Sequence, residues 1–194
     1  DINYLAFKAD AEDATLVGIE GLTAQVTSLS VVVNKTSDTT HPNKVLDFVD
    51  TAAATNTTDN AAENVAVATG PTTADVTLDM DGDEGALVEV KTDLTLDLFG
   101  FVKVTGSLAF KQATGSFVLT DGHTSDATTL ADVDYLKVGG FVTAAFAGVG
   151  GIGFSLTNVV FGLLLVSDTK GTLVTTDDIN YLAFKADAED ATLV

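Results

Sequence analysis

The sequence predicts a mainly β chain organised as a β-solenoid-like stack of repeats. Three observations lead there. Residues 1–17, DINYLAFKADAEDATLV, recur without a change as residues 178–194, so the second copy begins 177 positions after the first. The regular stretches are rich in Val, Thr, Phe, Leu and Ile, which suit a pleated, half-buried surface. No stretch carries a capped apolar stripe at 3.6-residue spacing, whereas turn signals recur at Gly and Asp.

The unaltered duplication sets the domain organisation. Residues 1–177 read as one period of a tandem array and 178–194 as the start of the next. A unit that buries its apolar face on a neighbouring copy generates such an array. The alternative is a string of β-sandwich domains. A weaker repeat lies inside the strong one. Gly21–Val33 aligns without a gap on Gly153–Leu165, and Asp1–Leu5 aligns on Asp132–Leu136. Gly100–Phe110 shares the same character.

Taken in order, Ile2–Phe7 predicts a short strand, followed by an acidic, small-residue stretch over Ala9–Ala14. Thr15–Ile19 and Leu22–Val33 predict strands, the second with only partial alternation, and SDTTHPN a loop. Lys44–Val49 predicts another short strand. Residues 51–75 lack aromatic residues, Leu and Ile, and read as a loop-like insertion with room for a short helix at Ala61–Val67. Val76–Asp79 leads into the acidic turn DMDGDEG. Ala86–Leu98 then shows the clearest alternation, with Val88, Val90, Leu94, Leu96 and Leu98 against Glu89, Lys91, Asp93 and Asp97. Strands follow over Phe99–Phe110, Gly115–Leu119, Val133–Val138 and Phe141–Val166, with a turn at Asp121-Gly122. The run Val159–Val166 leaves little polar face, as in a strand covered on both sides.

Composition narrows the function. The 194 residues carry 28 acidic against 9 basic side chains, a formal net charge of −19. That balance argues against nucleic acid, whose affinity rests on Lys and Arg at phosphates. There is no Cys, which excludes disulfide frameworks and thiolate metal sites. The longest apolar run, Phe141–Leu165, is too rich in Gly, Ser, Thr and Asn for a membrane helix, so no membrane insertion is expected. Aromatic residues are 7% and Trp is absent, which weighs against a glycan-binding platform.

Few residues could carry chemistry. Asp79, Asp81 and Asp83 alternate around a Gly turn and could converge on calcium, a cation that takes six to eight oxygens. An EF-hand would need Gly and Glu where Glu84 and Val90 stand, so calcium is the only candidate cofactor and its loop is not of that type. His123, Ser125 and Asp121 sit in one turn and cannot assemble a triad, which draws on separate elements. Gly148–Gly153 overlaps a dinucleotide-binding pattern without the strand-to-helix context. Asn34-Lys-Thr and Asn56-Thr-Thr match glycosylation acceptors. No enzyme activity is expected.

The segments YLAFKA, ATLVGIEGLTA and SLSVVVNKTSD, with GSLAF and GFSLTNVVFGLLL, resemble the repeats of giant secreted bacterial surface proteins. These include long adhesin-like chains, some with hemolysin-type calcium-binding segments. The resemblance covers most of the chain outside residues 51–75. It implies an extracellular or cell-surface location and a role in adhesion or filament, sheath or matrix formation, without a catalytic motif. The calcium nonapeptide G-G-x-G-x-D is absent, so calcium binding of that type is not implied. The expected partner is the chain itself. Periods should pack end to end through Ile2, Tyr4, Leu5 and Phe7 and their repeats Ile179, Tyr181, Leu182 and Phe184.

Overall fold

Alternating apolar residues and tight Gly turns give the chain one dominant layer. In a computed structural model the described residues are 1–16, 20–49, 64–122, 127–170 and 178–194. Their strands are β1 (Tyr4–Leu16), β2 (Leu22–Thr36), β3 (Val65–Val67), β4 (Val76–Leu78), β5 (Leu87–Leu98), β6 (Val102–Leu119), β7 (Thr128–Val149), β8 (Ile152–Asp168) and β9 (Ile179–Leu193). Seven of them form one sheet in the order β1-β2-β5-β6-β7-β8-β9, and β3 pairs with β4 alone. Every ladder among the described residues is antiparallel. The chain is therefore mainly β, a meander of long hairpins.

Several local expectations shift. The strand expected over Ile2–Phe7 runs on through the acidic stretch Ala9–Ala14, all of which lies within β1. Lys44–Val49 forms no strand; its place is fixed instead by the buried side chain of Phe48, whose N–H donates to the Met80 carbonyl at 3.0 Å. Val65–Val67 is strand, not helix, because it pairs with Val76–Leu78; positions 61–63 lie outside the described residues. The acidic turn closes as a single 3₁₀ turn, Gly82–Glu84.

The register shows how side chains sort. Directly opposed residues share a face of a sheet. Leu5, Phe7, Ala9, Ala11 and Ala14 of β1 oppose Lys35, Val33, Val31, Leu29 and Val26 of β2. Those valines and Leu29 oppose Val88, Val90, Thr92 and Leu94 of β5, which in turn oppose Gln112, Phe110, Leu108 and Gly106 of β6. The face continues through Val138, Gly140 and Val142 of β7 to Leu163, Phe161 and Val159 of β8. This apolar face holds no charged residue except Lys35 and Asp134, both near one end of the strands.

Alternation slips by one residue at mid-sheet. Thr27 bulges between Val26 and Ser28, the β6–β7 register shifts at Thr105/Gly106, and Asp13 and Asn158 adopt φ of 56° and 49°. Each slip keeps apolar residues on the same side across the whole strand length. Strands β5 and β6 pair without a shift, and β5 carries the clearest alternation in the sequence.

The opposite face is charged in the centre and covered at one end. Glu89, Lys91, Asp93, Asp97, Lys103 and Lys111 lie on it, with pairs Lys91–Glu89 at 2.6 Å and Lys103–Asp97 at 3.1 Å. Over one end of it folds the β6–β7 hairpin tip, where Phe117 meets Tyr135 edge-on at 5.6 Å. The core cluster of Leu87, Ala113, Leu130, Val133, Tyr135 and Val166 lies there. Tyr135 is thus buried.

Candidate assembly edges

The duplicated segment forms β1 and β9, the two outer strands of the sheet. In β1 it pairs with the strand that follows it, and in β9 with the strand that precedes it. The two copies therefore use opposite long edges of the same strand sequence. They also present the same residues to the same face. Leu182, Phe184, Ala186, Ala188 and Ala191 of β9 oppose Leu165, Leu163, Phe161, Val159 and Leu156 on the apolar face, matching Leu5, Phe7, Ala9, Ala11 and Ala14 of β1. The β8–β9 ladder is interrupted one position before the counterpart of the Asp13 slip, at Asn158 and Glu189, where the Asn158 amide donates to the Glu189 carboxylate at 2.5 Å.

The expected assembly residues divide between the faces. Leu5, Phe7, Leu182 and Phe184 lie on the apolar face, and Tyr4 and Tyr181 on the other. Ile2 precedes β1, and its counterpart Ile179 opens β9. Leu5 is 54%, Phe7 46%, Leu182 68% and Phe184 62% exposed, so both edges carry unburied apolar side chains. Tyr181 packs on the core cluster.

The two copies differ in what lies over them. Lys8 of β1 pairs with Asp79, just after β4, at 2.8 Å. Its counterpart Lys185 pairs only with its neighbour on the same strand, Asp187, at 3.1 Å among the described contacts. The insertion between β2 and β5 is anchored by Asn34, fully buried, whose amide donates to the Leu46 carbonyl at 2.6 Å. Gly82 N–H donates to Asp47 Oδ1 at 2.8 Å, and Lys111 reaches Glu84 at 2.5 Å. Burial works against the Lys111 charge, yet Glu84 and Glu89 outweigh it and hold its pKa above the ordinary value.

Two of the three aspartates singled out in the sequence are held by contacts of their own. Asp79 faces Lys8, and Asp81 caps the 3₁₀ turn by accepting from the Asp83 N–H at 2.9 Å. Among the described residues no three His, Cys, Asp or Glu groups stand close enough together to hold a metal ion. His123 and Ser125 lie outside the described residues, as does Asn56. Asn34, in the other stretch that matches an acceptor pattern, is 0% exposed in the folded chain. No family model, curated protein or solved structure matches the chain.

Proposed function

We propose that the chain is a structural repeat of a large extracellular filament, sheath or adhesin stalk, whose periods join by continuing one antiparallel sheet. On this reading the repeats join side by side in one antiparallel sheet, in place of the expected solenoid-like stack. The segment 178–194 ends one period and begins the next, pairing with β8 behind it and with a second β2 ahead. One observation carries the reading: strands from the same duplicated segment close both edges of the sheet, through opposite sides of the strand and with the same face outward. An edge strand otherwise leaves a row of unpaired backbone groups open to further pairing. In a continuing array each period would cover the edge of the last.

Hydrogen exchange tests this on a chain carrying two complete periods. Amides of the internal DINYLAFKADAEDATL strand should be protected along its whole length. In the 194-residue chain alternate amides of Ile179–Leu193, those pointing away from β8, should exchange freely. Equal exchange of that strand in the two chains would refute continuous pairing.

A further inference from the structure

Among the described residues, the elements that cover the sheet lie on one side of it. Asp79, Leu46 and Glu84 reach Lys8, Asn34 and Lys111, and the β6–β7 tip packs on Tyr135, all on the mixed face. The apolar face, through Val90, Leu96, Val104, Phe110, Val138 and Leu163, receives no described element. Seven strands about 4.8 Å apart, paired over roughly ten residues of about 3.3 Å rise, give it on the order of 1,000 Å². That exceeds the ~300–600 Å² of the largest apolar patch on a typical monomer. It matches the ~800 Å² per partner of a stable protein interface.

We infer that this face packs against the same face of a second copy of the chain, forming a two-layer sandwich between copies. Burial of charge is no obstacle, because the acidic side chains sit on the mixed face and in the connections, and Lys35 and Asp134 stand near one end of the strands. Two such faces can stack about 10 Å apart with strands within ~30° of each other. A self-complementary patch of this kind gives a two-fold pair. Lipid is the less fitting occupant. Sheets that face hydrocarbon carry aromatic girdles at both interfaces, where Tyr and Trp are enriched. Here Tyr4, Tyr135 and Tyr181 all lie on the mixed face and Trp is absent. This pairing acts through a face, not through the edges that join periods, so it stands independently of the proposed array.

The chain has no cysteine, which makes single-cysteine labelling clean. Thr92→Cys places a thiol at the centre of the apolar face and Ser107→Cys one on the mixed face. Raising the protein concentration a hundredfold should slow maleimide labelling of Thr92→Cys by at least tenfold and leave Ser107→Cys unchanged. Sedimentation should show twice the 19.9 kDa chain mass over the same range. In the Thr92→Cys background, Leu96→Glu should restore fast labelling and single-chain mass. Labelling of Thr92→Cys that is independent of concentration overturns the inference, because association through the edges leaves this face open. Protection that appears only on adding phosphatidylcholine vesicles also overturns it, in favour of lipid.

Discussion

Phe7 and Phe184 are the same residue of the duplicated segment, and they stand on the same face at opposite edges of one sheet, Phe7 opposite Val33 and Phe184 opposite Leu163. In a continuing array one phenylalanine would sit between both partners. Cross-strand pairs of this kind contribute roughly 0.2–1 kcal/mol each. The same doubling applies to Leu5 and Leu182, opposite Lys35 and Leu165.

A chain of residues 1–177 lacks β9 and leaves the apolar strand β8 as an edge. It is expected to melt lower than the 194-residue chain, or to associate. A synthetic peptide of residues 178–194 should restore the melting temperature. Identical melting and monodispersity of the two chains, with no response to peptide, would show that β8 does not need this partner.

Backbone approach predicts which glycines matter. A Cβ on Gly106 would collide with the Phe141 carbonyl and Val142 Cα, and one on Gly148 with the Ile152 carbonyl and Gly153 Cα. Backbone atoms held in a ladder have little room to yield. Gly106→Ala and Gly148→Ala should each cost about 1–3 kcal/mol, as overpacking does. Gly162 would meet nothing within 4 Å, so Gly162→Ala should be neutral or slightly stabilising. Denaturant midpoints for the three variants check the ordering.

Much of the sheet was legible in the sequence, and the exceptions have a physical cause. Ala86–Leu98 reads as a strand because β5 alternates without interruption from Val88 to Leu98. In β2 the apolar set runs Leu22, Ala24, Val26 and then Leu29, Val31, Val33, so the Thr27 bulge makes a fully sided strand look only partly alternating. In β1 the slip at Asp13 hides the second half of the strand, which reads as an acidic stretch. The weaker repeat marks paired strands: its two copies fall on β1–β2 and β7–β8. Which face is covered was not legible. That depends on where the insertion and the β6–β7 tip fold, through contacts such as Asn34–Leu46 and Phe117–Tyr135 that no local pattern encodes.

Asn34 holds the insertion to the sheet. Asn34→Ala would leave the Leu46 carbonyl without its donor, at about 1–3 kcal/mol for an unsatisfied buried group. Part of that loss is offset because Asn34 Oδ1 is buried without a partner and leaves with the side chain. Hydrogen exchange should accelerate at Phe48, whose N–H bonds Met80, before it does in β5 or β6. Uniform acceleration across the sheet would contradict an anchoring role.

Acid should weaken the fold through a few named carboxylates. Lys103 and the Gly100 N–H hold Asp97 below the ordinary value of 3.8, and Lys170 does the same for Asp168. A group whose folded pKa is depressed stabilises the fold above its unfolded value and loses that contribution as pH falls through the folded one. The window therefore lies below 3.8. Lys111 has the opposite sign: its raised pKa stabilises below 10.5 and is lost as pH rises past the folded value. Asp97→Asn should flatten the acid limb of a melting-temperature profile and leave the alkaline limb alone. An unchanged acid limb would count against the Asp97 contacts.

The spacing of the array follows from the topology. Each period would add six strands, β1, β2, β5, β6, β7 and β8, before β9 restarts the count. At about 4.8 Å per strand the sheet advances about 29 Å per period along its hydrogen-bonding direction. Right-handed strand twist coils such a ribbon without changing the strand spacing along it. Oriented fibres of a multi-period chain should therefore give a reflection near 4.8 Å along the fibre and an axial repeat that is close to 29 Å or shortened by coiling. Sandwich domains strung as beads would break strand pairing at each linker, and their strands need not lie across the fibre. A fibre pattern with the 4.8 Å spacing off the fibre direction would favour beads over a continuous sheet.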